Sequence, residues 1–138
     1  MNKKYTAWIV PIYKANDKYL YLIVQGRENW FRSFPKGQVD LWETIQECAQ
    51  RELFEETGIK EIDIKFNQPY EMIFPFTKDG IENIKILTFY HGYVKNMEIQ
   101  IQESEICNYK RAALDECLEL LSFDNLKGMI TYISNNLD

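Results

Sequence analysis

Glu52, Glu55 and Glu56 follow Arg51 within the segment Gly37 to Ile59, GQVDLWETIQECAQRELFEETGI. With Glu52 set at zero and ~100° per residue, a helix places Glu56 at ~40° and Glu55 at ~300°, so the three carboxylates share one face. Ala49 and Leu53 fall at ~60° and ~100°, beside the acids, which puts the glutamates at the edge of the buried stripe. Three carboxylates this close repel one another, and such a cluster persists where a divalent cation lies between them. The chemistry this implies is metal-assisted attack on an anionic substrate. A plainer reading is an acidic surface helix held by the i,i+4 pairs Glu47–Arg51 and Arg51–Glu55.

A helix from Trp42 to Thr57 must carry these acids, because good helix formers dominate there and Gly58 stands where a C-terminal cap belongs. Before it, Tyr5–Tyr13 and Tyr19–Val24 are rich in β-branched and aromatic residues, with Asn16-Asp17 as a hairpin turn. Residues 25–36 read as a loop carrying Arg27, Trp30, Arg32 and Pro35. After the helix, Ile62–Phe66, Tyr70–Phe76 and Ile84–Val94 read as strands, the last two joined by a turn at Lys78-Asp79-Gly80. Met97–Ile101 alternates and is expected to be a short strand. Leu114–Leu121 and Asn125–Asn135 have helical spacing. The order predicts a mixed sheet with helices packed on it.

The bulk properties narrow the function. At 138 residues, 46% hydrophobic and 27% charged, the chain reads as one globular domain spanning 1–138. A net charge of −5 argues against nucleic acid as a partner, so a phosphate substrate must be attracted locally. Three cysteines without a CxxC pair suit a reducing compartment, and Cys48 on the acidic helix reads as a small buried thiol. No membrane span is expected, nor is an N-terminal leader, so a cytoplasmic location is expected.

Gly37, Glu43, Arg51, Glu52, Leu53, Glu55, Glu56, Gly58 and Ile59 match every fixed position of the Nudix box, G-x5-E-x7-R-E-U-x-E-E-x-G-U with U aliphatic. The chain therefore resembles the Nudix hydrolases. That resemblance implies an α/β (α+β) fold, an α/β/α sandwich around a mixed sheet. It also implies MutT-like hydrolysis of a nucleoside diphosphate linked to another group, assisted by Mg2+ or Mn2+. In the family, the residues matching Glu52, Glu55 and Glu56 bind the metals, often with the carbonyl of the glycine matching Gly37, while Glu43 and Arg51 hold loop to helix. Some members draw the general base from the box, which points to Glu55 or Glu52; others draw it from a later loop, where Glu105 is the candidate and Glu103 the alternative.

Within the family, Phe34-Pro35-Lys36-Gly37, the chain's size and Tyr109 after a loop glutamate resemble the asymmetrical diadenosine tetraphosphate hydrolases. This resemblance implies cleavage of a dinucleoside polyphosphate to a triphosphate and a monophosphate. Phe76 stands where that group usually stacks a tyrosine on a base, and its other reading, with Phe74, is as a core strand residue. Lys36 is the expected phosphate contact, and Trp30 either packs in the core or walls a pocket. Alternative functions are a nucleoside triphosphate pyrophosphatase and a non-catalytic nucleotide-binding module of the same fold. His91, the sole histidine, reads as structural.

Overall fold

The computed structural model describes residues 2–96 and 98–137. Strands β1 (Asn2–Ala15) and β2 (Lys18–Gly26) form the expected hairpin, closed by Ala15↔Lys18. Asn16 takes φ 57°, a left-handed conformation that asparagine tolerates better than most residues. The two strands pair only through residues 12–15 and 18–21, then part. Two short strands occupy the fork: β3 (Arg32–Ser33) on β2 and β4 (Lys36–Gln38) on β1. Phe34 and Pro35 sit between them, with Phe34 at 0% exposure and the Pro35 carbonyl accepting from the Ile9 N–H at 3.0 Å. The stretch expected to be a loop is therefore partly sheet. Two- and three-residue strands are too short to leave a periodic trace.

Helix α1 (Ile45–Thr57) begins three residues later than expected, behind a capping box. Thr44 Oγ1 accepts from the Glu47 N–H at 3.1 Å, and Glu47 Oε1 accepts from the Thr44 N–H at 2.8 Å. That engagement takes Glu47 away from Arg51, so the expected Glu47–Arg51 pair is not made. Gly58 ends the helix at φ 74°, its N–H donating to the Phe54 carbonyl at 2.8 Å.

The remaining elements are β5 (Ile62–Ile64), β6 (Tyr70–Lys78), β7 (Ile81–Val94), β8 (Ile106–Ala112), α2 (Leu114–Leu120) and α3 (Asp124–Asn135). β1 and β7 pair in parallel from Asn2↔Asn83 to Ile12↔Tyr93, and every other strand pairing among the described residues is antiparallel. The mixed sheet and its helices match the expected fold class. β8 was not anticipated; its polar run Asn108-Tyr109-Lys110 hides the alternation of a strand on the edge of β2. Met97 lies outside the described residues. Residues 98–101 form no strand; instead the Gln100 N–H docks onto the Thr57 carbonyl at 2.8 Å, at the end of α1.

The sheet separates two cores. On one face, Cys48, Ala49 and Leu53 of α1 pack on Ala7, Ile9, Leu22 and Tyr90. On the other, Leu126, Met129, Ile130 and Ile133 of α3 pack on Trp8, Val10, Ile23 and Phe89. Each Leu, Ile, Val, Met or Phe side chain among them contributes about 1.5–3 kcal/mol on burial. His91 is 5% exposed in β7, its ring edge-on to Tyr93 at 6.4 Å. Among the described residues no helix is long and apolar enough to cross a membrane.

Candidate active site

β4 runs directly under α1, and their junction is built around Arg51. Its guanidinium grips Glu43 with two bonds, Nε to Oε2 at 3.0 Å and Nη2 to Oε1 at 2.7 Å. This fork holds the Glu43 carboxyl down at about 2 and pushes Arg51 up from its ordinary value. Arg51 Nη1 also reaches Glu52 Oε1 at 2.9 Å and Glu55 Oε2 at 3.2 Å. One arginine thus ties the loop before the helix to two of the three box acids. Cys48, fully buried beneath, places Sγ 3.5 Å from the Gly37 carbonyl, and burial pushes its thiol up to about 12.

The three glutamates are not equivalent. Glu55 is exposed and turned to Arg51, Glu52 is half-buried, and Glu56 is 5% exposed. Glu56 Oε2 accepts from the Lys36 N–H at 3.2 Å and otherwise faces Glu52. Burial, followed by the nearby Glu52 charge, pushes Glu56 up to about 8 against the Lys36 bond; burial also raises Glu52. A Cβ on Gly37 would lie 2.0 Å from Glu52 Cδ and Oε1, so only glycine leaves this carboxylate its place. Among the described residues no three acidic, histidine or cysteine side chains converge as a ready metal cage. A crowded carboxylate pair, with Arg51 on Glu52 alone and Glu56 buried, and with a glycine carbonyl in the adjoining strand, nevertheless fits a hard, oxygen-seeking cation.

A cleft of about 920 Å³ opens beside Glu56 on the α3 side of the sheet. Lys36, Glu56, Phe76 and Glu105 all line it, so four of the residues singled out in the sequence meet there. Lys36 lies over the Trp8 ring, its Nζ 5.4 Å from the centroid. The turn bearing Glu105 hangs from the helix through the Gln102 N–H to the Glu56 carbonyl at 3.0 Å. It is also tied to the β2–β3 loop, where the Arg27 N–H donates to the Glu105 carbonyl at 2.7 Å and Arg27 Nε to the Glu103 carbonyl.

Phe74 and Phe76 line the cleft and belong to neither core cluster, because β6 extends beyond the α3 packing. Trp30 and Tyr109 are not among the lining residues. Trp30 is 66% exposed at φ 63°, between the lining residues Asn29 and Phe31. Tyr109 lies on β8 with the Arg111 guanidinium 5.8 Å from its ring. The sequence reading missed Lys4, Lys78, Lys85, Phe31 and Phe123 as cleft residues. The alternation Phe74-x-Phe76-x-Lys78 was the available signal for one of them.

A family model described as NUDIX domain matches residues 3–131. The chain belongs to the Nudix family. As a Nudix hydrolase, it acts on a nucleotide-linked substrate, and Nudix hydrolases generally use divalent metal ions. Solved structures share the fold. C. elegans Ap4A hydrolase is 20% identical with a TM-score of 0.81, the match covering 100% of both chains. The NUDIX domain of Shewanella oneidensis NrtR, solved with ADP ribose, is 17% identical with a TM-score of 0.73, covering 99% of this Nudix chain and 90% of the other. E. coli dihydroneopterin triphosphate pyrophosphohydrolase is 18% identical with a TM-score of 0.72, covering 99% and 100%. No curated protein matches the chain.

Proposed function

We propose that residues 1–138 act as one catalytic domain that hydrolyses a phosphoanhydride bond in a dinucleoside polyphosphate such as diadenosine tetraphosphate, with magnesium or manganese. The observation that carries this reading is the single cleft shared by Glu56, Lys36, Phe76 and Glu105. It joins the buried Glu56 carboxylate, the exposed Glu105, a cation and aromatic rings in one continuous surface.

Gly37 (through its carbonyl), Glu52, Glu55 and Glu56 would hold the cation, Glu55 leaving Arg51 to do so. When bound, the cation neutralises phosphoryl charge and acidifies a water. Lys36 donates to a phosphate oxygen beside that site. Glu105 accepts the proton of the attacking water, a role worth roughly 10²–10⁴-fold in rate; Glu55 and Glu52 are the alternatives within the helix. Phe76 stacks on one base, at ~1–3 kcal/mol. For a substrate with two nucleosides, the exposed rings of Trp30 and Tyr109 are further stacking surfaces beside the cleft rings Phe31, Phe74 and Phe123.

A panel of dinucleoside polyphosphates, nucleoside triphosphates and nucleotide sugars, assayed with resolved products, tests the reading. Triphosphate plus monophosphate from a dinucleoside tetraphosphate supports it. Fast release of pyrophosphate from a nucleoside triphosphate, with the dinucleotide left intact, replaces it with a pyrophosphatase. Glu105→Gln should lower turnover by about 10²-fold or more. Wild-type turnover in that variant moves the base to the helix or to Glu103.

A further inference from the structure

Arg27 stands between Gly26 and Glu28, which both line the cleft, yet it is not itself a lining residue. Its side chain goes instead to the turn that bears Glu105. Nε donates to the Glu103 carbonyl, and the main-chain N–H donates to the Glu105 carbonyl at 2.7 Å. An exposed arginine ordinarily stays solvated or pairs loosely with an acid. Among the described residues no ion pair uses Arg27, although Glu28 is its chain neighbour. The loop that carries it is a closed turn. The Gly26 N–H donates to the Phe31 carbonyl at 2.9 Å, the Trp30 N–H returns to the Gly26 carbonyl at 3.0 Å, and Asn29 Oδ1 accepts from the Phe31 N–H at 2.9 Å. Arg27 therefore reaches out from a fixed backbone.

The receiving side is fixed as well. β2 and β8 slip register between Gln25↔Asn108 and Gly26↔Ile106, which leaves Cys107 as an extra residue in β8. Its Sγ lies 3.6 Å from the Gln25 carbonyl and 3.7 Å from the Gly26 carbonyl. A bulge of this kind bends its strand and re-aims the side chains beside it, and Glu105 stands two residues before it. The Gln102 carbonyl accepts from the Glu105 N–H at 3.0 Å and from the Ile106 N–H at 2.8 Å, while Gln102 itself hangs from the Glu56 carbonyl. Glu105 is thus held through its N–H from the α1 side and through its carbonyl from the Arg27 side. We infer that Arg27 is a positioning residue: by clamping the Glu103 and Glu105 carbonyls it sets where the Glu105 carboxylate stands in the cleft. The inference rests on the function proposed above and deepens it, because it assigns the aim of the base to a residue outside the Nudix box.

Arg27→Met keeps the length of the side chain and removes its donor, while the main-chain bond survives. For diadenosine tetraphosphate with magnesium, kcat should fall about tenfold with KM within about twofold of wild type, since misplacing a reacting group by about 1 Å costs up to ~10²-fold. Arg27→Lys, which keeps a donor, should recover most of the loss. Arg27 is exposed, so the variants should keep the wild-type melting temperature. Beside Glu105→Gln, Arg27→Met should cost less than about twofold more, because two residues acting through one group are not additive. In the substrate-free protein, hydrogen exchange at the Glu105 and Ile106 amides should quicken at least about fivefold in Arg27→Met. Unchanged exchange overturns the inference. Where Glu105→Gln lowers turnover, a wild-type kcat in Arg27→Met overturns it too. So does a loss that appears in KM or persists in full beside Glu105→Gln, which makes Arg27 a direct substrate contact. Quickened exchange with wild-type turnover in Glu105→Gln retains the clamp and discards Glu105 as the base. Quickened exchange in a protein that does not cleave the dinucleotide retains the clamp and discards the proposed function.

Discussion

At the scale of single residues, the site turns on how tightly Gly37, Glu52 and Glu56 are packed. A Gly37→Ala methyl would lie 2.0 Å from the Glu52 carboxyl group, the mobile end of a side chain. The fold should therefore absorb the change while Glu52 swings away. Expected is a loss of at least about 10²-fold in kcat with a melting temperature within a few degrees of wild type. Wild-type activity would show that the Glu52 position is unimportant. Glu56 makes the opposite kind of prediction. Its carboxylate is 5% exposed against Glu52, so the metal-free protein must hold a crowded buried charge at alkaline pH. Glu56→Gln should raise metal-free stability at pH 9 by on the order of 1 kcal/mol and abolish the stabilisation that magnesium gives the wild type. Thermal unfolding in EDTA and in magnesium reads both effects. A variant that is less stable in EDTA, yet still stabilised by magnesium, would remove Glu56 from the metal site.

At the scale of elements, the acids are held in place by how α1 begins and by what ties it to β4. Thr44→Ala removes one half of the capping box and should cost about 1 kcal/mol in chemical denaturation, with activity kept below the unfolding transition. The Arg51 fork carries a pH dependence. Glu43 is held at about 2 in the folded chain against an ordinary 4.5, so its contribution is complete above about 4.5 and disappears as pH falls towards 2. Wild type should lose more melting temperature than Glu43→Gln across that window, and parallel curves would contradict the assignment. The helix was legible in the sequence because acids, apolar stripe and capping glycine all agree with one period. Its exact start was not, since Trp42 and Glu43 have acceptable helix propensity while the Thr44–Glu47 box sets the boundary. β8 and the β3–β4 fork were illegible for another reason. Their pairing is decided by distant strands, and their own residues carry no period-2 signature. Residues 98–101 show the converse, an alternation that docks Ile99 beside α1 without forming a ladder.

At the scale of the whole molecule, the sheet brings together residues from β4, α1, β6 and the turn before β8 in one cleft. The box gave away the reaction end of that cleft, because metal chemistry demands fixed residues at fixed spacing. The far end was hidden. Lys4 and Lys85 are 81 positions apart and meet only through the parallel β1–β7 ladder, and Phe74 and Phe76 carry the same apolar pattern whether they face a core or a substrate. The measurement that bears most directly on the central claim is product analysis of diadenosine tetraphosphate incubated with magnesium, for wild type beside Glu56→Gln. ATP and AMP in equal amounts from the wild type, with at least a 10²-fold loss in the folded variant, is the predicted result. An unchanged rate in Glu56→Gln, or a wild type that binds the dinucleotide without cleaving it, would contradict it.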